Sequence, residues 1–223
     1  QAPPNDGGIA LGQAWVAVRR IEEGRPDSFL GAFDALDRAL AAAGGPPGGR
    51  VLGVRRIPAI KGQAIPAYDP RSLKGIGVTY ATGAMGGDHT AGNALETAKT
   101  VDPQGRTGQV ATSLRLQLRG AILDSLGVCL FIRPAFVKDP VLTARLLNAR
   151  YGWEWTYKDV RAMAVECLRA EQEYNTKAGV TDAMCDVPEF MRREPLPPHN
   201  TVFDVDRDEM RHIWELTIPE DIF

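Results

Sequence analysis

The apolar positions of this chain recur with helical rather than strand periods. Ala14, Val18 and Ile21 share a face between Ile9 and Glu23, and the pattern stops at Gly24-Arg25-Pro26. Ser28 is placed to cap a second helix running to Ala43, with Phe29, Phe33, Leu36 and Leu40 on one side. Gly44-Gly-Pro-Pro-Gly-Gly49 then breaks the pattern and is the sharpest boundary by composition. The helical period resumes at Val110, Leu114, Leu118, Ala121 and Ile122 and closes at Gly127, a natural left-handed stop. Asp139-Pro140 opens another helix, with proline at its favoured first position. Thr156-Tyr-Lys-Asp159 has the form of a capping box with Asp in place of Glu. It starts the longest helix, along which Val160, Met163, Cys167, Ala170 and Tyr174 lie three and four apart. Pro195, Pro197 and Pro198 predict an extended surface strap, and Asp206 begins a last short helix containing Met210, Ile213 and Trp214. No stretch alternates with period two for long enough to predict a sheet. The expected fold is mainly α and multi-helical, with little or no sheet.

Residues 51–92 stand apart. They are rich in Gly and Pro, and their apolar runs are short. Glycines crowd between Gly75 and Gly92, which implies tight turns or close backbone approaches. Ile76, Val78, Tyr80 and Met85 interleave with them, so the segment reads as an ordered, irregular Gly/Pro-rich site loop.

Composition narrows the function classes. The chain has 223 residues, 44% of them hydrophobic and 24% charged, with a net charge of -2. That balance gives no reason to expect nucleic acid or an anionic membrane as partner. No apolar run approaches the roughly 20 residues that span a bilayer. The opening residues, with Pro3, Pro4 and Asn5, do not read as a signal peptide. Three irregularly spaced cysteines argue against a disulfide scaffold and suit a reducing cytoplasm.

The candidate chemistry sits in two places. Asp124-Ser-Leu-Gly-Val-Cys129 sets a carboxylate and a thiol five residues apart around a glycine. A carboxylate can accept paired N–H donors from a heterocycle edge, and a thiolate can ligate iron. Taken alone, the hexapeptide reads first as a helix end followed by a cysteine packing as a small hydrophobe. Asp124 is awkward for a bare solvated acid, because a helix C-terminus disfavours negative charge. Asp88-His89, in the glycine-rich segment, supplies an acid and an imidazole able to exchange a proton near neutral pH. A metal-dependent hydrolase reading of that pair lacks the further clustered His and Asp ligands it needs. Arg192-Arg193 is answered by Glu189 and Glu194, and His199 and His212 read as surface residues.

Four motifs, in order, resemble the tungsten-pterin aldehyde:ferredoxin oxidoreductases. They are Lys61-Gly-Gln-Ala-Ile-Pro-Ala-Tyr-Asp-Pro-Arg71, the stretch from Lys74 to Gly92 containing Gly86-Gly87-Asp88-His89, the Asp124–Cys129 hexapeptide, and Glu194-Pro-Leu-Pro-Pro-His-Asn-Thr201. The likeness is to the carboxyl-terminal portion of such an enzyme. It implies that residues 1–58 end a middle helical domain and that 59–223 form a C-terminal helical domain. It implies a catalytic role for His89 beside the metal. Asp124 and the backbone at Val128, where the family commonly has leucine, are implied to hold a pterin, and Cys129 to be the fourth ligand of a 4Fe-4S cluster. The remaining ligands are expected upstream, in a CxxCxxxC run. Gly87 replaces the family's usual alanine before the Asp-His pair. Lys61, Asp69 and Arg71 are expected to brace the site loop, Cys167 to pack in the core, and Cys185 has no assigned role.

The implied protein is a cytoplasmic oxidoreductase taking aldehyde and water to carboxylate at a tungsten (or molybdenum) bis-pterin. Electrons are expected to leave through the 4Fe-4S cluster to ferredoxin or another iron–sulfur acceptor. Both cofactors require the upstream part of the same polypeptide, so this portion alone is expected to be inactive; a homo-oligomer is compatible with the likeness. The rival is a helical binding or assembly module with no redox activity of its own.

Overall fold

The computed structural model describes residues 57–223, packed around the long helix Gln109–Ser125. The two helices expected before Gly44 lie outside those residues. Seven α-helices follow a short hairpin: α1 (Lys74–Thr82), α2 (Gln109–Ser125), α3 (Arg133–Lys138), α4 (Leu142–Tyr151), α5 (Tyr157–Lys177), α6 (Glu189–Arg193) and α7 (Arg207–Arg211). The hairpin pairs β1 (Ala59–Ile60) with β2 (Gln63–Ala64) antiparallel, Ala59 opposite Ala64 and Ile60 opposite Gln63. Lys61 and Gly62 both have positive φ, as a two-residue hairpin turn of this hand requires. Apart from an isolated bridge between Leu196 and Thr201, this is the sheet among the described residues. The fold is mainly α, as the periods predict.

The α2 stripe behaves as expected: Val110, Leu114, Leu118 and Ile122 are sealed from solvent. So are Ser113 and Gln117, which border that stripe, because α1 and α5 both pack along the helix. The α5 N-terminus carries the expected box, with Asp159 Oδ2 accepting from the Thr156 N–H (2.7 Å) and hydroxyl (2.6 Å). Asp206 caps α7 by accepting from the N–H groups of Asp208 (2.8 Å) and Glu209 (3.0 Å).

Four expectations change. The segment expected to be irregular contains α1, all of whose nine residues are buried. A helix enclosed on every side has no polar face, so it shows no amphipathic period. A Cβ on Gly77 would stand 2.5 Å from Phe203 and 2.8 Å from Pro70, which explains a glycine inside a helix. The irregular stretches are those that flank α1. On α5 the buried stripe is Val160, Ala164 and Leu168, while Tyr174 is 72% exposed and Cys167 half-buried. Cys167 is therefore not core packing. Pro140 precedes α4 by two residues instead of opening it, whereas Pro134 occupies the first turn of α3. Arg193 does pair with Glu189 (2.7 Å), but Arg192 pairs with Asp186 (2.6 Å).

Candidate functional site

An α-helix leaves its last carbonyls without intrahelical partners. At the end of α1, side chains from elsewhere in the fold satisfy them. Lys61 Nζ, in the hairpin turn, donates to Ala81 O (2.5 Å) and Gly83 O (2.9 Å). From α5, Gln172 donates to Thr82 O (3.0 Å) and Asn175 to Ala84 O (2.9 Å). Four consecutive carbonyls are thus held by three side chains. The loop that follows is pressed against the hairpin. Gly86 has φ +90°, and a Cβ there would lie 2.3 Å from Ile60 O; one on Gly87 would lie 2.6 Å from Ala64 O. A methyl at Gly87 therefore has no room in this loop. Asp88 closes the loop, its Oδ1 accepting from the Thr90 N–H (2.8 Å) and hydroxyl (2.7 Å). The His89 ring rests on Tyr68, with centroids 5.2 Å apart.

Helix α2 ends differently. Gly127 has φ +65°, its N–H donates to Asp124 O (3.0 Å), and the Val128 N–H donates to Leu123 O (3.1 Å). These paired bonds close a left-handed backbone stop, with Val128 half-buried against the core. Cys129 follows, exposed, at the start of a short 3₁₀ turn. The Asp124 side chain stands in the last turn of α2.

Between the two helix ends lies an open cleft, with room of about 90 Å³ for the centres of water-sized guests. The loop contributes Gly83 and Asp88, α2 contributes Gln117 and Asp124, and α5 contributes Cys167 and Glu171. Its charged wall residues are all acidic. Burial, then the charge of Asp88, pushes the Asp124 carboxyl above its ordinary range. Glu171 is pushed up chiefly by burial and further by Asp124, against a thiol bond from Cys167 (3.8 Å). Burial, then Glu171, pushes the Cys167 thiol up as well. Above them Gln117 is 1% exposed, and its Oε1 has no hydrogen-bond partner among the described residues. The charged groups of the cleft wall, Asp88, Asp124 and Glu171, are carboxyl acceptors.

Residues 48–214 match the family described as aldehyde ferredoxin oxidoreductase, domains 2 & 3. The chain belongs to that family. It is 34% identical over 145 residues to the tungsten-containing aldehyde ferredoxin oxidoreductase of Pyrococcus furiosus, covering 62% of this chain and 24% of that protein. The enzymes of the same name from Pyrococcus abyssi and Thermococcus kodakarensis are 30% and 31% identical, over 66% and 62% of this chain and 25% and 24% of theirs. The chain spans about a quarter of the length of these relatives.

For this family member the structure brings some of the expected residues together and separates others. Asp124 joins Asp88 on the cleft, whereas His89 turns toward Tyr68 and is not on the cleft wall. Val128 and Cys129 lie past the α2 stop. Among the described residues no three His, Cys, Asp or Glu side chains converge as a metal site. No single helix among them is long and apolar enough to cross a membrane. Lys61 braces the loop as expected. Asp69 and Arg71 pair at 2.7 Å, and Arg71 also donates to Glu194 O (3.0 Å), joining the first motif to the last. Gln117, Gln172, Asn175 and Glu171 are not singled out by the sequence. Their one signal is a polar residue on an otherwise core-facing stripe, and it is clear only for Gln117.

Proposed function

We propose that this chain is the C-terminal helical portion, with its domain junction near Pro58, of an oxidoreductase. The reaction takes an aldehyde and water to a carboxylate, releasing protons and two electrons to a ferredoxin-like acceptor. The observation that carries the reading is the acidic cleft at the α2 terminus, found in a chain of this family. The residues present fit a pterin: the Asp124 carboxylate lines an open cleft that has no cation on its wall. A tungsten bis-pterin, when bound, supplies the redox chemistry. Asp124 accepts paired N–H donors from a pterin edge, a charge-assisted contact of the stronger kind. The backbone at Val128, fixed by the left-handed stop, orients that edge. Cys129, exposed beyond it, would serve as one thiolate ligand of a 4Fe-4S cluster, the other ligands coming from outside the described residues. Six residues of sequence thus link a pterin contact to a cluster contact, which gives electrons a short exit. His89, held against Tyr68, carries a proton to or from the aldehyde oxygen. Lys61, Gln172 and Asn175 keep the loop bearing Asp88 and His89 in place.

Three variants of the full-length protein test this, with tungsten, iron and pterin content measured beside kcat. Asp124→Asn is expected to lose pterin, and Cys129→Ser to lose cluster iron. His89→Ala is expected to keep both and to lower kcat by about 10²–10⁴-fold, the usual range for a general acid or base. Full pterin content in Asp124→Asn, or unchanged kcat across pH in His89→Ala, removes the corresponding role.

A further inference from the structure

We infer that Met85 is an apolar cover for the ligand site, its side chain folding over the face of the heterocycle whose edge is held at Asp124. This rests on the pterin reading above. Met85 is 63% exposed, although it stands between half-buried Ala84 and the buried pair Gly86-Gly87. The chain on both sides of it is fixed. Gly83 O accepts from Lys61 Nζ (2.9 Å), Ala84 O accepts from Asn175 (2.9 Å), and Gly86 O accepts from the Asp88 N–H (2.7 Å). A Cβ at Gly86 would meet Ile60 O, so the backbone directly after Met85 is pressed on the hairpin. Loose backbone therefore does not account for the exposure. A long apolar side chain is held out on a firm support, at a position that lines the same cleft as Asp124.

The cleft wall has two characters. Asp88, Asp124 and Glu171 are carboxyl groups, whereas Ala84, Met85 and Leu168 are apolar. A flat heteroaromatic ring asks for both: its N–H edge needs acceptors, and its faces gain by leaving water. Alanine methyls are too short to close over a ring in an open cleft. Methionine is not, because its unbranched side chain has three rotatable bonds and a polarisable sulfur that packs favourably against aromatic rings. It also adapts to a ring whose tilt is set by another contact, where a branched side chain would hold one shape. In the free protein this side chain stands in water, and covering a ring removes apolar surface on both partners. Met85 is thus a positioning residue: it closes one face of the cofactor while Asp124 fixes the edge.

The test uses the full-length protein, loaded with its cofactor and after the cofactor has been removed. Under anaerobic conditions an oxaziridine reagent transfers its nitrogen to exposed methionine sulfur, forming a sulfimide and releasing a carbonyl compound. Peptide mass spectrometry reads the labelled sites. Met85 is expected to be labelled without the cofactor and spared with it. Met184, half-buried on a separate 3₁₀ turn, should label equally in both forms, and Met210, 3% exposed, should stay unlabelled as a check on folding. Pterin release on dialysis is expected to be about tenfold faster in Met85→Ala than in the wild type, through loss of the sulfur–ring contact. Met85→Leu keeps the apolar bulk and should stay within about twofold of the wild type. Because Met85 is exposed, Met85→Ala should leave the melting temperature of the cofactor-free protein unchanged, so faster release is not a folding defect. Equal labelling of Met85 in the two forms, or wild-type release from Met85→Ala, overturns the inference. Equally fast release from the alanine and leucine variants also overturns it, since apolar bulk would then not be what holds the ring. Asp124→Asn in the same series separates this from the underlying reading. If it loses pterin while Met85→Ala does not, Met85 is a surface residue and the pterin site stands; if it too keeps pterin, the site reading itself falls.

Discussion

The two helix ends that meet at the cleft are finished by opposite means. Helix α2 closes itself: a glycine at φ +65° turns the chain, and two backbone bonds within six residues satisfy the last carbonyls. Helix α1 is closed by others: Lys61 from the hairpin, and Gln172 and Asn175 from α5, take its terminal carbonyls one by one. A self-closed end depends on local sequence alone, so it can carry Asp124 and Cys129 at fixed offsets from its glycine. An end closed by distant side chains is as rigid as the packing of three elements allows, and it is the end that leads into Asp88 and His89. The difference teaches that the candidate site is half local motif and half tertiary assembly.

Paired glycine substitutions should break that comparison most visibly. Gly86→Ala adds a Cβ 2.3 Å from Ile60 O at a residue with φ +90°, and is expected to cost about 3 kcal/mol or more. Gly127→Ala meets nothing within 4 Å, so only the left-handed strain of roughly 1 kcal/mol is expected. Denaturant midpoints of the two variants measure the gap; equal losses would mean the loop–hairpin contact is soft.

The next effect is on the side-chain clamp. Lys61→Met removes two bonds from a charged donor and is expected to cost about 2 kcal/mol, with Gln172→Ala and Asn175→Ala about 1 kcal/mol each. Amide exchange at Asp88, whose N–H donates to Gly86 O (2.7 Å), should quicken in all three variants, while exchange at Gly127 and Val128 should not. Parallel quickening at both helix ends would show that the ends are not independent.

The smallest effect is electrostatic. Asp124 and Glu171 have folded-state pKa values raised above the ordinary carboxylate range, first by burial. Such groups favour the fold fully only below their unfolded pKa, and that contribution is lost as pH rises through the raised values. Without cofactor, Glu171→Gln should therefore melt slightly higher than the wild type at pH 7 and no higher at pH 4. Both carboxyls remain open to solvent, so the difference should be on the order of 1 °C. A lower melting temperature for Glu171→Gln at pH 7 would mean the carboxylate has a favourable partner in the cleft.

Much of this molecule is legible in its sequence, and the legible parts share a cause. The α2 stripe, the stop at Gly127, the Thr156–Asp159 box and the Asp206 cap all depend on residues within a few positions of one another, where periodicity and capping chemistry operate. Asp124 and Cys129 are prominent for the same reason, since one short turn sets their spacing. Helix α1 escapes because burial on every side removes the polar face that would reveal it. The true α5 stripe escapes because Cys167 and Leu168 sit side by side, and only packing decides which faces the core. Arg192 finds Asp186 rather than its sequence neighbours, and Gln117 finds hydroxyls on two helices. The sequence by itself determined the helical class, the helix ends and the family's motifs. Only the tertiary structure decided the cleft, its acidic wall and the clamp on the loop, because each depends on polar groups that are distant in sequence and meet only when the helices pack.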